Sequence, residues 1–274
     1  MGTNVLQSSF KRDATRSKSY LGSLLPKLAP FLGVVALLLL WQAVVSLALY
    51  PEFIIPSPRS VLERFVEVLL DGRLWLHTST TVGQMGIGFV IGATLGIGLG
   101  YFIAKSLVLE EILSPVIVAL QSTPIVAYAP MLVIWFGSGP TSKVITSALI
   151  VFFPLVLNTV VGVRSVPEPE RELMRAFSAS AWQIFRLLEV PASMPVMLGG
   201  LKVSATLAVI GAVVGEFISA NAGLGYLINR ARYDYDTPLV LVSVVMLAVI
   251  ARTMYGAISW LERRALRWRK QNTA

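Results

Sequence analysis

Residues 168–195 read EPERELMRAFSASAWQIFRLLEVPASMP, with four acidic residues, three basic ones and three prolines. Long apolar runs flank this stretch on both sides, and the contrast decides the fold class. A helix needs about 20 apolar residues to cross a bilayer, and the charged segments between such runs stay outside it. The whole chain has the matching composition: of 274 residues, 55% are hydrophobic and 14% charged, with a mean hydropathy of +0.72. A soluble domain carries about a quarter charged residues. Candidate spans lie at 31–49, 82–104, 113–136, 144–163, 196–218 and 238–259. The expectation is an all-α polytopic membrane protein with six transmembrane helices. Pro124 and Pro130 interrupt the third run, so it is kinked or broken, which neighbouring helices can tolerate.

The net charge of +8 does not point to nucleic acid, because the basic residues sit between the apolar runs and at the two ends. Lys11, Arg12, Arg16, Lys18 and Lys27 precede the first run, and Arg263, Arg264, Arg267, Arg269 and Lys270 follow the last. With six spans these join Lys105, Arg164, Arg171, Arg175 and Arg186 on one side. Fifteen basic residues then face six on the other, namely Arg59, Arg64, Arg73, Lys143, Arg230 and Arg232. The positive-inside rule places both termini and residues 164–194 in the cytoplasm. A cleaved secretory signal ending near Ser46-Leu47-Ala48 fits less well, since the apolar run is long and its loss would leave five spans. The expected organisation is a cytoplasmic tail at 1–29, a first span with an extracytoplasmic amphipathic helix at 30–76, a core at 77–262 and a basic tail at 263–274. In the amphipathic helix, Ser60 and Glu63 have the spacing of a capping box.

Enzymatic chemistry finds little support. No cysteine and one histidine, His77, leave no thiolate nucleophile and little scope for a metal site. The phosphate-loop-like GSGPTSKV at 137–144 lacks glycine before Lys143 and follows no strand, and neither G-x-S-x-G nor H-E-x-x-H occurs. Within 170–188 the apolar residues Leu173, Met174, Phe177, Ile184, Phe185 and Leu188 suit an amphipathic helix, punctuated at Ser178–Ser180. Ser180 and Gln183 form a second capping-box pattern, and Pro191 is expected to end the helix that follows. Acids balance bases here, a poor match to an anionic lipid surface, so docking of a cytoplasmic protein fits better.

Inside the spans, Gly88, Gly92, Gly96 and Gly100 recur every four residues and mark a face for close helix packing. Lys202, Glu216 and Arg252 are charges within apolar runs. Lys202 and Arg252 can snorkel towards the cytoplasmic ends, Lys202 being also a candidate for the translocation path or gate, whereas Glu216 is expected either to hydrogen-bond structurally or to serve the translocation path or an outer gate. Gln121, with Gln84, Asn158 and Ser204, is a further candidate to line the path or to bond across helices.

The polar segment resembles the cytoplasmic EAA loop of permease subunits of binding-protein-dependent ABC importers. That pattern runs E-A-A, three residues, G, nine residues, I, any residue, L-P. Glu172 takes the acidic position, Ser178 the glycine, Leu188 the isoleucine and Val190-Pro191 the closing pair, while Leu173 and Met174 replace both alanines. IIPSPRSVLERFVEVL at 54–69, TPIVAYAPMLVIWFGSGPTSKV at 123–144, FFPLVLNTVVGV at 152–163 and GAVVGEFISANAGLGYLINRARYDYDTPLV at 211–240 are similar to the sulfonate, nitrate, taurine and pyrimidine-precursor branch. The resemblance implies a type I importer permease fold. It also implies coupling of 168–191 to a cytoplasmic ATPase dimer that binds the ATP and Mg, with no cofactor on this chain. An extracytoplasmic solute-binding protein and a second permease copy complete the implied assembly. Within the branch, STPIVAYAPMLVIWFG at 122–137 and GGLKVSATLAVIGAVVGEF at 199–217 look more like permeases for vitamin-type heterocycles such as riboflavin or the thiamine pyrimidine. Aliphatic sulfonates are the alternative. An ion-coupled secondary transporter would need inverted repeats and midplane acids.

Overall fold

In the computed structural model of the chain, residues 31–267 are described, so the N-terminal tail and positions 268–274 of the basic tail lie outside the described residues. Up to Glu63 the chain forms one compact unit, and from Arg64 a second. The first unit holds α1 (Phe31–Ser46), an apolar helix shorter than a full span, and the start of α2 (Pro58–Leu70). The Trp41 indole N–H donates to the Pro56 carbonyl at 3.0 Å. Pro58 opens α2, where its fixed φ suits a first helical turn. The Ser60 N–H donates to Ser57 Oγ at 3.1 Å, and Glu63 instead pairs with Arg59 at 2.8 Å. The expected Ser60–Glu63 box is therefore replaced by a cap one turn earlier.

The second unit contains the remaining helices. They are α3 (Arg73–Lys105), α4 (Leu107–Ser122), α5 (Ile125–Phe136), α6 (Pro140–Arg164), α7 (Glu168–Ala176), α8 (Ala181–Ile184), α9 (Val190–Ile218), α10 (Leu224–Tyr233) and α11 (Thr237–Ala265). Arg64 pairs with Asp236, which in turn accepts the Leu239 N–H at 3.1 Å and so caps α11. Asp71 accepts the Arg73 backbone N–H at 2.9 Å, and that bond with the Arg73 side chain holds its carboxyl below the usual range. α3, α6, the continuous helix Ala181–Ile218 and α11 are each long and apolar enough to cross a membrane. The pair α4–α5 is apolar enough only when its two helices are taken together, and it is bent by 98° at the break between them; α1 is a further, shorter apolar helix.

Several boundaries move for physical reasons. α3 starts at Arg73 instead of 82, because the hydroxyls of the polar run after His77 bond within the helix. Ser79 and Thr80 both donate to the Leu76 carbonyl, at 3.0 and 2.8 Å. The third run breaks at Thr123-Pro124, where Thr123 takes extended geometry (φ −82°, ψ 123°) as a residue before proline should. Pro130 stays inside α5. Pro191 does not end its helix. α8 passes through a π-helical turn, Phe185–Glu189, directly into α9. Proline cannot donate to the carbonyl four residues back and its ring crowds that carbonyl; a turn wound to i+5 accommodates both effects. In that turn the Val190 N–H reaches the Phe185 carbonyl. Loop helix and span are thus one rod.

α6 lies between α3 and α9, and glycine lets both backbones approach it. On α3, a Cβ at Gly96 would sit 2.8 Å from the Phe152 carbonyl oxygen, and one at Gly100 would sit 2.6 Å from that of Val156. At Gly88 it would meet Ser147 Cβ at 2.6 Å, and at Gly92 it would strike the Ala148 carbonyl oxygen. The glycine stripe is therefore packed inside the chain. On α9, a Cβ at Gly211 would lie 2.6 Å from Ser147 Cα. Ser147 also donates to the Ala208 carbonyl at 3.0 Å, across the same contact. Such dispersion-driven packing replaces the hydrophobic effect, which is absent between helices in lipid.

Candidate functional site

Two polar clusters stand at opposite ends of this bundle. The first is the segment from α7 to α9. Glu168 and Glu170 lie in the first turn of α7 and Arg175 in its last, each the sign that the helix dipole favours. α7 closes in a Schellman turn: the Ala179 N–H donates to the Met174 carbonyl at 3.0 Å and the Ser178 N–H to the Arg175 carbonyl at 2.8 Å. Ser178 has φ +56°, the left-handed region where a Cβ costs about 1–2 kcal/mol and glycine none. That backbone accounts for glycine at this position in the resembled pattern. Next, the Gln183 N–H donates to Ser180 Oγ at 3.3 Å and the Ser180 N–H to Gln183 Oε1 at 2.7 Å, a complete capping box.

The apolar face read from the sequence divides in two. Met174, Ile184, Phe185 and Leu188 are half-buried, whereas Leu173, Phe177 and Trp182 are exposed, Phe177 to 77%. Glu172 is exposed beside them. Three large apolar side chains around a polar turn form a contact surface of the kind seen at protein interfaces.

Glu189 anchors this segment, and sequence reasoning missed it. It is 1% exposed. Its carboxylate pairs with Lys105 at the end of α3, accepts the Tyr101 hydroxyl at 3.1 Å, and lies 3.6 Å from Arg171 Nε on α7. Arg171 Nε has ion-pair distance but no hydrogen-bond partner, so this last link is Coulombic. Arg171 Nη2 meanwhile donates to the Val163 carbonyl at 2.8 Å, joining α7 to the end of α6. The signal in the sequence is an acid within the mainly apolar stretch 184–198, two residues before Pro191. The partners of Glu189 lie on α3 and α7, so nothing local in the sequence marks it off from a loop acid.

At the far end the buried acid is Glu216, also 1% exposed. Three successive backbone amides at the start of α10 find side-chain acceptors. Gly223 N–H donates to His77 Nδ1 at 3.1 Å, Leu224 N–H to Thr81 Oγ1 at 2.8 Å, and Gly225 N–H to Glu216 Oε2 at 2.6 Å. The Thr81 hydroxyl in turn donates to Glu216 Oε1 at 2.7 Å. A carboxylate at a helix N-terminus satisfies orphan amides and the dipole together. Buried Lys143, held by the Ser138 carbonyl, adds Coulombic attraction. Gly223 has φ +119°, and a Cβ there would strike the carboxylate. Glu216 thus ties α3, through Thr81, to the start of α10, through the Gly225 N–H.

The remaining sequence candidates scatter. Lys202 pairs with Glu262 of α11 at 2.8 Å instead of only snorkelling. Arg252 is exposed, and Asn158 bonds the Pro154 carbonyl at 2.8 Å within its own helix. Gln84 Oε1 and Ser204 Oγ are buried without partners. Gln121 is exposed at the end of α4. Among the described residues no cluster of three histidines or acids could hold a metal.

Residues 92–267 match the family described as binding-protein-dependent transport system inner membrane component. The chain is 44% identical to the riboflavin transport system permease protein RibX of Chloroflexus aurantiacus, over 89% of this chain and 91% of that protein. It is 34% identical to the formylaminopyrimidine transport permease protein ThiX of Halalkalibacterium halodurans, over 89% and 97%. It is 31% identical to the putative aliphatic sulfonates transport permease protein SsuC of Bacillus subtilis, over 84% and 83%. Among solved structures, a chain of the MetNI methionine ABC transporter in an inward-facing form superposes with a TM-score of 0.58 at 20% identity, covering 72% of this chain and 96% of that one. At that identity the likeness shows the fold, that of a type I ABC importer permease.

Proposed function

The chain belongs to the family of binding-protein-dependent transport system inner membrane components, and from that premise we propose that it is the permease of an ABC importer for a vitamin-type heterocycle. It is a transport component of the membrane, not an enzyme. On this reading ATP and Mg belong to a cytoplasmic ATPase dimer, an extracytoplasmic binding protein delivers the solute, and a second permease copy completes the path. Both termini and residues 164–194 face the cytoplasm.

The observation that carries the reading is the construction of 168–191. Its turn presents Leu173, Phe177 and Trp182 outward, while the helix after the turn is the same 38-residue rod that forms a span. At 1.5 Å per residue this rod is about 57 Å long, so a partner that moves the turn moves the span. Glu172, Ser178, Leu188 and Pro191 have distinct parts in that transfer. Glu172 faces the partner, Ser178 sets the turn, Leu188 packs, and Pro191 fixes the π-turn. The glycine contact with α6 and the Glu189 link to α3 spread the motion through the bundle. The heterocycle reading is supported by the 44% and 34% relatives, the sulfonate alternative by the one at 31%.

Two variants test the coupling. Glu172→Lys reverses a charge on the contact surface, and Ser178→Asp places a charge in the left-handed turn. Both should reach the membrane, lose co-purifying ATPase and lose solute-stimulated ATP hydrolysis in reconstituted vesicles. Normal binding with normal stimulated hydrolysis in both variants would remove the coupling role. Uptake of labelled riboflavin, formylaminopyrimidine and taurine by the wild-type complex decides the solute class.

A further inference from the structure

Gln121 stands exposed and, among the described residues, unpaired at half height of the bundle, one residue before the end of α4. Its neighbours across the gap, Ile150, Phe153 and Pro154, lie near the middle of α6, and Leu207 near the middle of α9. An amide left without partners in hydrocarbon costs several kcal/mol. This face therefore meets water, solute or another protein surface. Behind Gln121 the 98° break between α4 and α5 opens a pocket of about 230 Å³. Thr123, Tyr128 and Phe153 also line it. Tyr128 is half-buried, and its hydroxyl has no partner among the described residues.

The chemistry of the lining is selective. It contains no lysine, arginine, histidine, aspartate or glutamate. A sulfonate would bring an anion to a place with no cation, at a cost that no lining group offsets. Gln121 offers one acceptor and two donors in a plane, matching the donor–acceptor edge of a lactam or an aminopyrimidine. Tyr128 and Phe153 supply ring surfaces for a flat solute. The volume falls below the 300–1,000 Å³ usual for drug-sized ligands, so it suits one ring system and not a whole extended molecule.

We propose that this pocket, formed where α4 breaks into α5, is a subsite of the solute path that takes a flat, uncharged heterocycle, with Gln121 as the specificity-determining residue. The proposal rests on the permease reading above and deepens it.

The chain has no cysteine, so a single introduced thiol reports cleanly. Thr123→Cys lies in the pocket and leaves Gln121 in place. In vesicles holding the complete transporter, a water-soluble methanethiosulfonate reagent should label it. Riboflavin or formylaminopyrimidine should slow that labelling at least tenfold, and taurine should leave the rate unchanged. Adding Gln121→Leu should abolish the protection and raise KM for heterocycle uptake about tenfold, whereas Tyr128→Phe should retain most of both and Tyr128→Leu should not. Absence of labelling would overturn the proposal, because the face would then be covered by lipid or a second copy. Equal protection by taurine would also overturn it. Protection absent while the wild type takes up the heterocycles would defeat the subsite and leave the permease reading standing. Uptake of taurine alone by the wild type would defeat the heterocycle reading itself.

Discussion

Replacing Gly96 or Gly100 by alanine adds one carbon at the α3–α6 contact. That carbon would sit 2.8 Å from the Phe152 carbonyl oxygen in the first case and 2.6 Å from the Val156 oxygen in the second. Ordinary contact begins at 3.4 Å, so the helices must separate by about 0.6–0.8 Å. The obstacle is backbone, which no rotamer change relieves. Overpacking of this kind costs about 1–3 kcal/mol. Alanine also gains up to about 1 kcal/mol over glycine inside a helix, which masks part of the cost. Gly86 on the same helix removes that ambiguity, because a Cβ there meets nothing within 4 Å. Gly86→Ala should be neutral or stabilising, and the paired difference between the sites isolates the packing term of about 1–3 kcal/mol. At roughly 2–4 °C per kcal/mol for a unit of this size, Gly96→Ala and Gly100→Ala should melt about 2–12 °C below Gly86→Ala. Tryptophan fluorescence during heating in detergent measures it. Equal shifts at all three positions would refute the argument that the stripe holds α3 against α6.

Ser178→Gly should raise the melting temperature slightly, by up to about 1 kcal/mol, since it relieves a left-handed serine while loosening the unfolded chain; Ser178→Val should lower it. Glu189→Gln leaves Lys105 and Arg171 facing a neutral amide and should cost about 1.5–3 kcal/mol, read as lower stability and faster proteolysis between α6 and α8. Glu216→Ala strips the Gly225 amide and the Thr81 hydroxyl of their acceptor, a loss of about 1–3 kcal/mol. Glu216→Gln should cost less, because its oxygen still accepts the Gly225 N–H; equal losses would contradict the capping role. Single cysteines at Ser180 and Asn221 should react with an impermeant reagent in intact cells only at Asn221.

The sequence alone determined the class of protein, because hydropathy and charge act locally and need no partner to be read. Runs of about 20 apolar residues and the spacing from Glu172 to Pro191 already imply an all-α permease of several spans. The Ser180–Gln183 box was legible for the same reason: both partners lie within one helical turn. What the tertiary structure decided were the long-range pairings. Glu189 looks like one more loop acid until α3 brings Lys105 and Tyr101 beside it, 84 and 88 residues away in sequence. Glu216 reads as an isolated acid in an apolar run until the turn at Gly223 folds the start of α10 back onto it. Pro191 reads as a stop, yet the π-turn before it absorbs the missing donor and keeps loop and span in one rod. In each case the residue's role depends on a partner that chain folding supplies, and neither periodicity nor composition encodes which partner that is.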